Sequence, residues 1–406
     1  MGLIVLKGQV MKKILLLLSF LISFSLCAED VSVKPAGEGT EESPYLFDRL
    51  ENFFWLRQQT SEMDPSVPVY CKQIKDIDAS ATQQGGDYAW SDINFSKNNL
   101  FTYDGQCFTI YGLEPNEKGA LFGTGYMQLK NIRIQGAEGI RTCALAKSLN
   151  SDNSRNGFFK NCRIRGLLVE TPALAERVSG ISAIIENCGV EADIEINEKK
   201  SGGALINAIY FRGGTNIIRK TCFKGKVKIN PLSLVSGLTE ILSLGTPFSN
   251  PEVTIEDCYM DLTVECDPDD RHTVVGLIGA AFMNYNANTV LNIERCYTAC
   301  EASESMDYGA AFIYQLTNTV NTLNIEDCYY REAPNFTDDL AIAKTDEEMK
   351  QQATFKNWDF ENIWDIDEGR TMPYLISELP EPSVALGWLL LFLFKKRTAK
   401  IIRRQL

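Results

Sequence analysis

Histidine is almost missing: His272 is the single one in 406 residues. A zinc metalloprotease helix needs two histidines four apart, so that chemistry is excluded. The twelve cysteines include no C-x-x-C pair, which removes the commonest cysteine metal spacing. No G-x-S-x-G nucleophile elbow occurs either. Amphipathic spacing of 3.6 residues is scarce through the middle, so a helical repeat array is also excluded. What the chain does have is 45% hydrophobic residues, enough to bury a large core, spread over short alternating segments.

The two ends read differently from the middle. Lys12 and Lys13 precede an apolar run from Ile14 to Leu26, and polar residues begin at Glu29. Residues 1–28 are therefore expected to be a secretory signal peptide, with Met11 as an alternative start. Bulky Leu26 argues against a lipidated Cys27. At the other end, Pro380, Glu381 and Pro382 precede an apolar run from Val384 to Phe394. Lys395, Lys396, Arg397, Lys400, Arg403 and Arg404 follow. Residues 380–406 resemble the bacterial PEP-type C-terminal sorting signal. The resemblance implies export machinery, then a membrane-embedded, transpeptidase-like sorting enzyme as partners. It places the protein on the cell surface or in the extracellular matrix. The apolar run is a short transmembrane segment set against a bilayer core of about 30 Å. A plain tail anchor is the alternative, with its basic end in the cytoplasm.

Residues 1–28 hold three basic residues; residues 380–406 hold six basic and one acidic. The middle keeps 31 basic against 52 acidic residues, a net charge of −21. Such a surface repels nucleic acid and suits solubility outside the cell.

A repeat organises that middle. V-T-I-E-D-C-Y from Val253, L-N-I-E-R-C-Y from Leu291 and L-N-I-E-D-C-Y from Leu323 are close copies, and looser ones precede them. The marker cysteines are Cys162, Cys188, Cys222, Cys258, Cys296 and Cys328, spaced by 26, 34, 36, 38 and 32 residues. Gly203, Gly237, Gly276 and Gly309 precede the next marker by 19, 21, 20 and 19. Within a copy, Leu291 and Ile293 point one way while Asn292 and Glu294 point the other. Alternation breaks at Arg295 and its counterparts Asn187, Asp257 and Asp327, where a turn would swing the following cysteine inward. Such a unit cannot bury its apolar face alone, whereas stacked units can. The expected fold is all-β, a parallel β-helix solenoid with loops at its corners and the six cysteines stacked inside.

The flanks of the array carry a family signature. A-G-E-G-T-E-E-S-P-Y-L begins at Ala36, D-I-D at Asp76 and D-G-Q-C-F-T-I at Asp104. G-A-L-F-G follows at Gly119, and N-W-D-F-E-N-I-W-D-I-D closes the array from Asn357. Over residues 36–376 this order resembles the bacterial GLUG-repeat surface proteins. Cys107 stands where that family often has histidine, and its Gly–Leu–Val–Gly motif is worn to forms such as Gly276-Leu277-Ile278-Gly279. The resemblance implies a right-handed β-helix in an adhesin-like or cell-envelope protein, with no catalytic residues to carry over. Residues 29–60 are expected to be a linker and an N-terminal cap helix over Tyr45–Gln59, and residues 61–350 the array. Residues 351–379 are expected to form a capping coil in which Trp358 and Trp364 cover the last rung.

Candidate chemistry is sparse. Asp267, Asp269 and Asp270, beside Arg271, are calcium candidates, though they lack a complete ligand loop. Asp338 and Asp339 read as solvated loop acids. Cys266 and Cys300 lie off the marker series and are expected to form an extra disulfide. No catalytic residue, cofactor or other metal is expected. The expected role is a non-catalytic, rigid acidic rod that contacts extracellular polysaccharide or the glycans of a host or neighbouring cell. A β-helix polysaccharide lyase or glycoside hydrolase is the rival, and would require carboxylates and a base converging on one face.

Overall fold

The structure is a computed structural model that describes residues 31–378. Ten short segments are excepted, at 96–99, 117–118, 198–200, 230–233, 247–248, 267–271, 284–287, 303–307, 317–321 and 335. The expected signal peptide, the calcium candidates Asp267, Asp269 and Asp270, and the tail with Pro380, Glu381 and Pro382 all lie outside the described residues.

Successive units stack in register as parallel strands. One late coil shows the plan. A first wall, Glu252–Glu256, leads to a second, Tyr259–Cys266, then a short third, Thr273–Val275, and a fourth, Ile278–Met283. The next coil repeats them, pairing Val253 with Leu291, Tyr259 with Tyr297, Thr273 with Tyr308 and Ile278 with Ile313. Among the described strands, the one antiparallel strand pair joins Trp364–Asp365 to Tyr374–Leu375. The chain is thus an all-β, solenoid-like stack of parallel sheets.

The walls divide at a visible place. The eleven-residue strand Ala120–Lys130 pairs its first half with Ala144–Asn150 and its second half with Gly157–Lys160. In the following coil, residues 151–156 open a corner inside what had been one strand. Fourth and first walls stay separate from there on.

Side chains at period two explain why the stack holds. Val253, Ile255, Leu291 and Ile293 are fully buried, while Thr254, Glu256, Asn292 and Glu294 line the outside. Each inward aliphatic side chain stabilises the fold by roughly 1.5–3 kcal/mol. The expected breaks in alternation are real. Asn161, Asn187, Lys220, Asp257, Arg295 and Asp327 all adopt left-handed backbone, with φ of 50–56°. After glycine, asparagine and aspartate bear that conformation best, and they occupy four of the six corners. At Arg295 the cost is offset by ion pairs to Glu256 at 2.7 Å, Asp257 at 3.0 Å and Glu294 at 2.7 Å.

The glycine markers align only in part. Gly237 stacks under Gly276, and a Cβ on Gly237 would lie 2.2 Å from the Gly276 carbonyl oxygen. Gly203, however, pairs with Ser236, and Gly309 with Val274. The aligned corner is Ala204, Gly237, Gly276 and Ala311, a requirement for small residues rather than for glycine.

At the N-terminal end the helix α1 spans Leu50–Gln59, shorter than expected. Tyr45–Phe47 is instead a strand that pairs with Cys71–Gln73, so the first rung begins before residue 61. That strand partner outweighs the helical spacing of Leu46 and Leu50. Asn52 begins the helix by accepting the amides of Asp48 and Arg49 at 2.9 and 3.2 Å. Phe53, Phe54 and Leu56 face the rod, with Phe53 against Phe47 at 4.9 Å and Trp90 at 6.0 Å between ring centroids.

Candidate functional site

Three columns of side chains run along the rod beside the left-handed corner. The innermost is made of thiols. Cys162, Cys188, Cys258, Cys296 and Cys328 are buried and free, as expected for an inward stack. Each thiol donates to the carbonyl two residues back, at 3.4, 3.5, 3.2, 3.2 and 3.3 Å in chain order. Each also lies 3.5–3.8 Å from a carbonyl of the preceding rung. A thiol suits this place because it is cheap to desolvate yet still donates weakly.

Cys222 does not belong to the column. Register sets it against Gly189 and Tyr259, on the outward face. The inward place in that rung is held by Thr221, whose hydroxyl donates to the Arg219 carbonyl at 3.0 Å, the same bond two residues back. What the column conserves is a small donor, which a search for cysteine misses. Thr221→Cys is accordingly expected to change stability by less than about 1 kcal/mol, whereas Cys296→Leu overpacks the column and costs about 1–3 kcal/mol. Urea denaturation of both variants measures the difference, and equal costs would contradict this account of the column.

The expected Cys266–Cys300 bridge is also excluded by register. Cys300 pairs with Leu262, four residues along the strand from Cys266 and so about 13 Å away. Disulfides need Cα atoms within about 7 Å.

The second column is polar. Asn131 donates to Asp104 at 2.8 Å, Asn161 to Asn131 at 2.8 Å and Asn187 to Asn161 at 3.2 Å. Lys220 interrupts this amide ladder, and Asp257 and Arg295 continue it as an ion pair. The sequence pattern marked Asn187 as a turn but not its bonding along the rod.

The third column is aromatic and lies outside the second wall. Tyr259 and Tyr297 stack at 5.0 Å with planes 2° apart, and Tyr329 follows in register. The C-terminal segment 349–378 lies across them as a strap. Trp358 and Trp364 do not cover the last rung; they pack against this flank, 4.4 Å from each other. Trp358 donates to the Asp327 carbonyl at 2.9 Å and Trp364 to the Asp257 carboxylate at 3.2 Å. Tyr297 donates to the Pro373 carbonyl and Tyr259 to Glu378, both at 2.7 Å. With Trp364 fully buried and Trp358 at 7% exposure, neither ring is available as a carbohydrate platform. A signal for the strap was present: tyrosine follows the marker in the last three units, whereas Arg163 and Gly189 follow it in the first two.

Where the strap ends, Ile363, Leu375 and Ser377 form one side of a cleft of about 400 Å3, with Asn161, Asn187 and Lys220 opposite. The carboxylate on its wall is already engaged, since Glu186 holds both Arg219 and Lys160.

The nearest approach to converging carboxylates lies farther along the same wall. Arg331 binds Glu301 at 2.7 Å and Asp346 at 3.6 Å. Burial pushes the Asp261 carboxyl above its ordinary value, against the pull of Lys224 and Arg331. Such a group can retain a proton in the less acidic range. Asp338 serves the backbone, accepting the amides of Phe312 and Leu340. His272 is buried with both ring nitrogens unpartnered among the described residues. Among those residues no group of three or more His, Cys, Asp or Glu is placed to hold a metal, and no helix is long and apolar enough to cross a membrane.

No protein-family model matches the chain, and no curated protein matches it. A solved structure from Bacteroides ovatus, provisionally called an immunoglobulin A1 protease, is similar with 14% identity and a TM-score of 0.49. The alignment covers 86% of this chain and 96% of that one.

Proposed function

We propose that the chain is an exported, non-catalytic scaffold of the cell surface or extracellular matrix, adhesive or structural, of the GLUG-repeat kind. Its signal peptide would direct export, and its PEP-type tail would meet a sorting enzyme or serve as an anchor. The observation that carries the reading is mechanical. One apolar cluster runs unbroken from Phe47 to Phe336, and every rung adds backbone bonds to its neighbours. That construction favours a stiff element with long flat faces over a closing pocket. A right-handed winding is part of the proposal, because parallel strands joined within one sheet cross over that way in about 98% of cases.

The cluster of Asp261, Glu301, Asp346 and Arg331 favours a second reading, a glycan-cleaving β-helix enzyme. One experiment separates the two. The purified protein is offered a panel of polysaccharides, with and without calcium, and both retention and product release are measured. Retention without new reducing or unsaturated ends supports the scaffold. Product that disappears in Asp261→Asn would replace it with the enzyme.

A further inference from the structure

The outer face of the fourth wall bears a strip that none of these roles has used. Strands Ala144–Asn150, Ala175–Gly180, Ile206–Phe211, Thr239–Leu244 and Ile278–Met283 stack there. Register lines up Asn150, Ser179, Tyr210, Ser243 and Phe282 in one row along the rod. Their neighbours Leu149, Val178, Ile209, Leu242 and Ala281 are fully buried, so the row itself faces outward. Phe282 is 40% exposed, an unusual placement for phenylalanine on a sheet face. Two residues before Ser179 on the same face, Arg177 is exposed, its guanidinium 5.3 Å from the centre of the Tyr210 ring. No carboxylate among the described residues pairs with it, although acids far outnumber bases in this chain.

The spacing selects a ligand. Tyr210 and Phe282 are two rungs apart, about 10 Å along the axis. An extended β-1,4-linked glycan advances by roughly 5 Å per sugar, close to the strand spacing of about 4.8 Å. Its alternate sugars present the same face, so both rings would meet equivalent apolar faces. Ser179 and Ser243 offer hydroxyls beside the rings. The Asn150 carbonyl oxygen accepts from Ser179 at 2.9 Å, so this end of the row is polar. Arg177 supplies a planar fork, already held against Tyr210, that matches a carboxylate.

We propose that this strip binds an extended β-1,4-linked polysaccharide bearing carboxylates, laid parallel to the rod. The inference rests on the surface-contact reading above and names its ligand class. Carboxymethyl cellulose and hydroxyethyl cellulose share one backbone and differ in charge, and they serve as probes with polymannuronate, a β-1,4-linked uronate. Native affinity electrophoresis of the full chain is run at about 0.15 M salt, where the repulsion of the acidic remainder is screened beyond about 8 Å.

The wild type is expected to be retarded by carboxymethyl cellulose and polymannuronate. Arg177→Gln should weaken that binding about tenfold, the weight of one charge-assisted contact, and leave hydroxyethyl cellulose binding unchanged. The double variant Tyr210→Ala, Phe282→Ala should abolish retardation by all three probes. Lys226→Gln on the second wall, with its melting temperature as a folding control, should behave as the wild type. Absence of retardation, or retardation unmoved in both strip variants, overturns the proposal. Retention of some other glycan that ignores these substitutions would remove this strip while leaving the scaffold reading standing. Product release would do the reverse.

Discussion

Raising the pH above 9.0, the ordinary value for a cysteine thiol, is expected to unfold the protein within about one to two pH units. Burial raises the thiols of Cys71, Cys143, Cys222, Cys296 and Cys328 and pushes Cys300 up to about 12, whereas the bonded neighbours Cys162 and Cys188 shift in opposite directions, Cys162 up and Cys188 down, and offset each other. Below pH 9.0 folded and unfolded chains both keep these protons, and stability is undiminished. Above it the unfolded chain ionises while the folded chain does not. Each thiol then withdraws about 1.4 kcal/mol per pH unit until its own folded value is reached. Six such groups withdraw on the order of 8 kcal/mol in the first unit, against a total stability of about 5–15 kcal/mol for an ordinary domain. Tyr103, Tyr259 and Tyr297, also raised by burial, add to the loss above 10.0. Thermal melts in reductant from about pH 7 to about pH 11 measure this. Cys143→Val with Cys300→Val should flatten the slope by about 1.4 kcal/mol per unit for each. A melting temperature that stays level to about pH 11 would show that the thiols are not buried as described.

Removing the indole at the centre of the strap is the second large effect. Trp364 is fully buried, donates to Asp257 and lies 6.1 Å from the Tyr297 ring. Trp364→Ala is expected to cost about 3–5 kcal/mol through the lost ring, and to leave Asp257 short of a donor. The cost falls first on segment 349–378, because a strap can open without unrolling the rungs. Limited proteolysis should therefore cut between Met349 and Glu378 many times faster in the variant, while the rod melts at only a slightly lower temperature. Equal cleavage rates would mean that the strap is held by something other than this contact. Trp364→Phe, which keeps a ring but not the donor, should fall between the two.

The rungs were legible in the sequence because a stacked fold repeats its demands. Leucine, isoleucine, a turn residue and a cysteine recur at Leu291–Cys296 and Leu323–Cys328 with little change, and the structure places both as equivalent corners. Legibility stopped where two residue types satisfy one demand. Thr221 does the work of a marker cysteine, so the pattern slid one position to Cys222 and took an outward residue for an inward one. It also stopped where tertiary pairing overrides local preference, as at Tyr45–Phe47, whose helical spacing yields to a strand partner at Cys71–Gln73. The strap was hidden for a third reason: Trp358 and Trp364 pack against Tyr259 and Tyr297, residues 61 to 105 positions earlier. The strip at Tyr210 and Phe282 escaped in the same way, since strand register alone makes them neighbours.

The strap also fixes where force enters the molecule. Ser377 accepts from Arg163 at 2.8 Å while Glu378 accepts from Tyr259, and three rungs separate those two partners. A pull on the chain beyond Glu378 therefore arrives at the waist of the rod rather than at its tip. Tension at a tip would peel one rung at a time, breaking a few hydrogen bonds in sequence. Tension at the waist is first met by Arg163, Tyr259 and Tyr297 together, and the terminal rungs are relieved of load until the strap has come away.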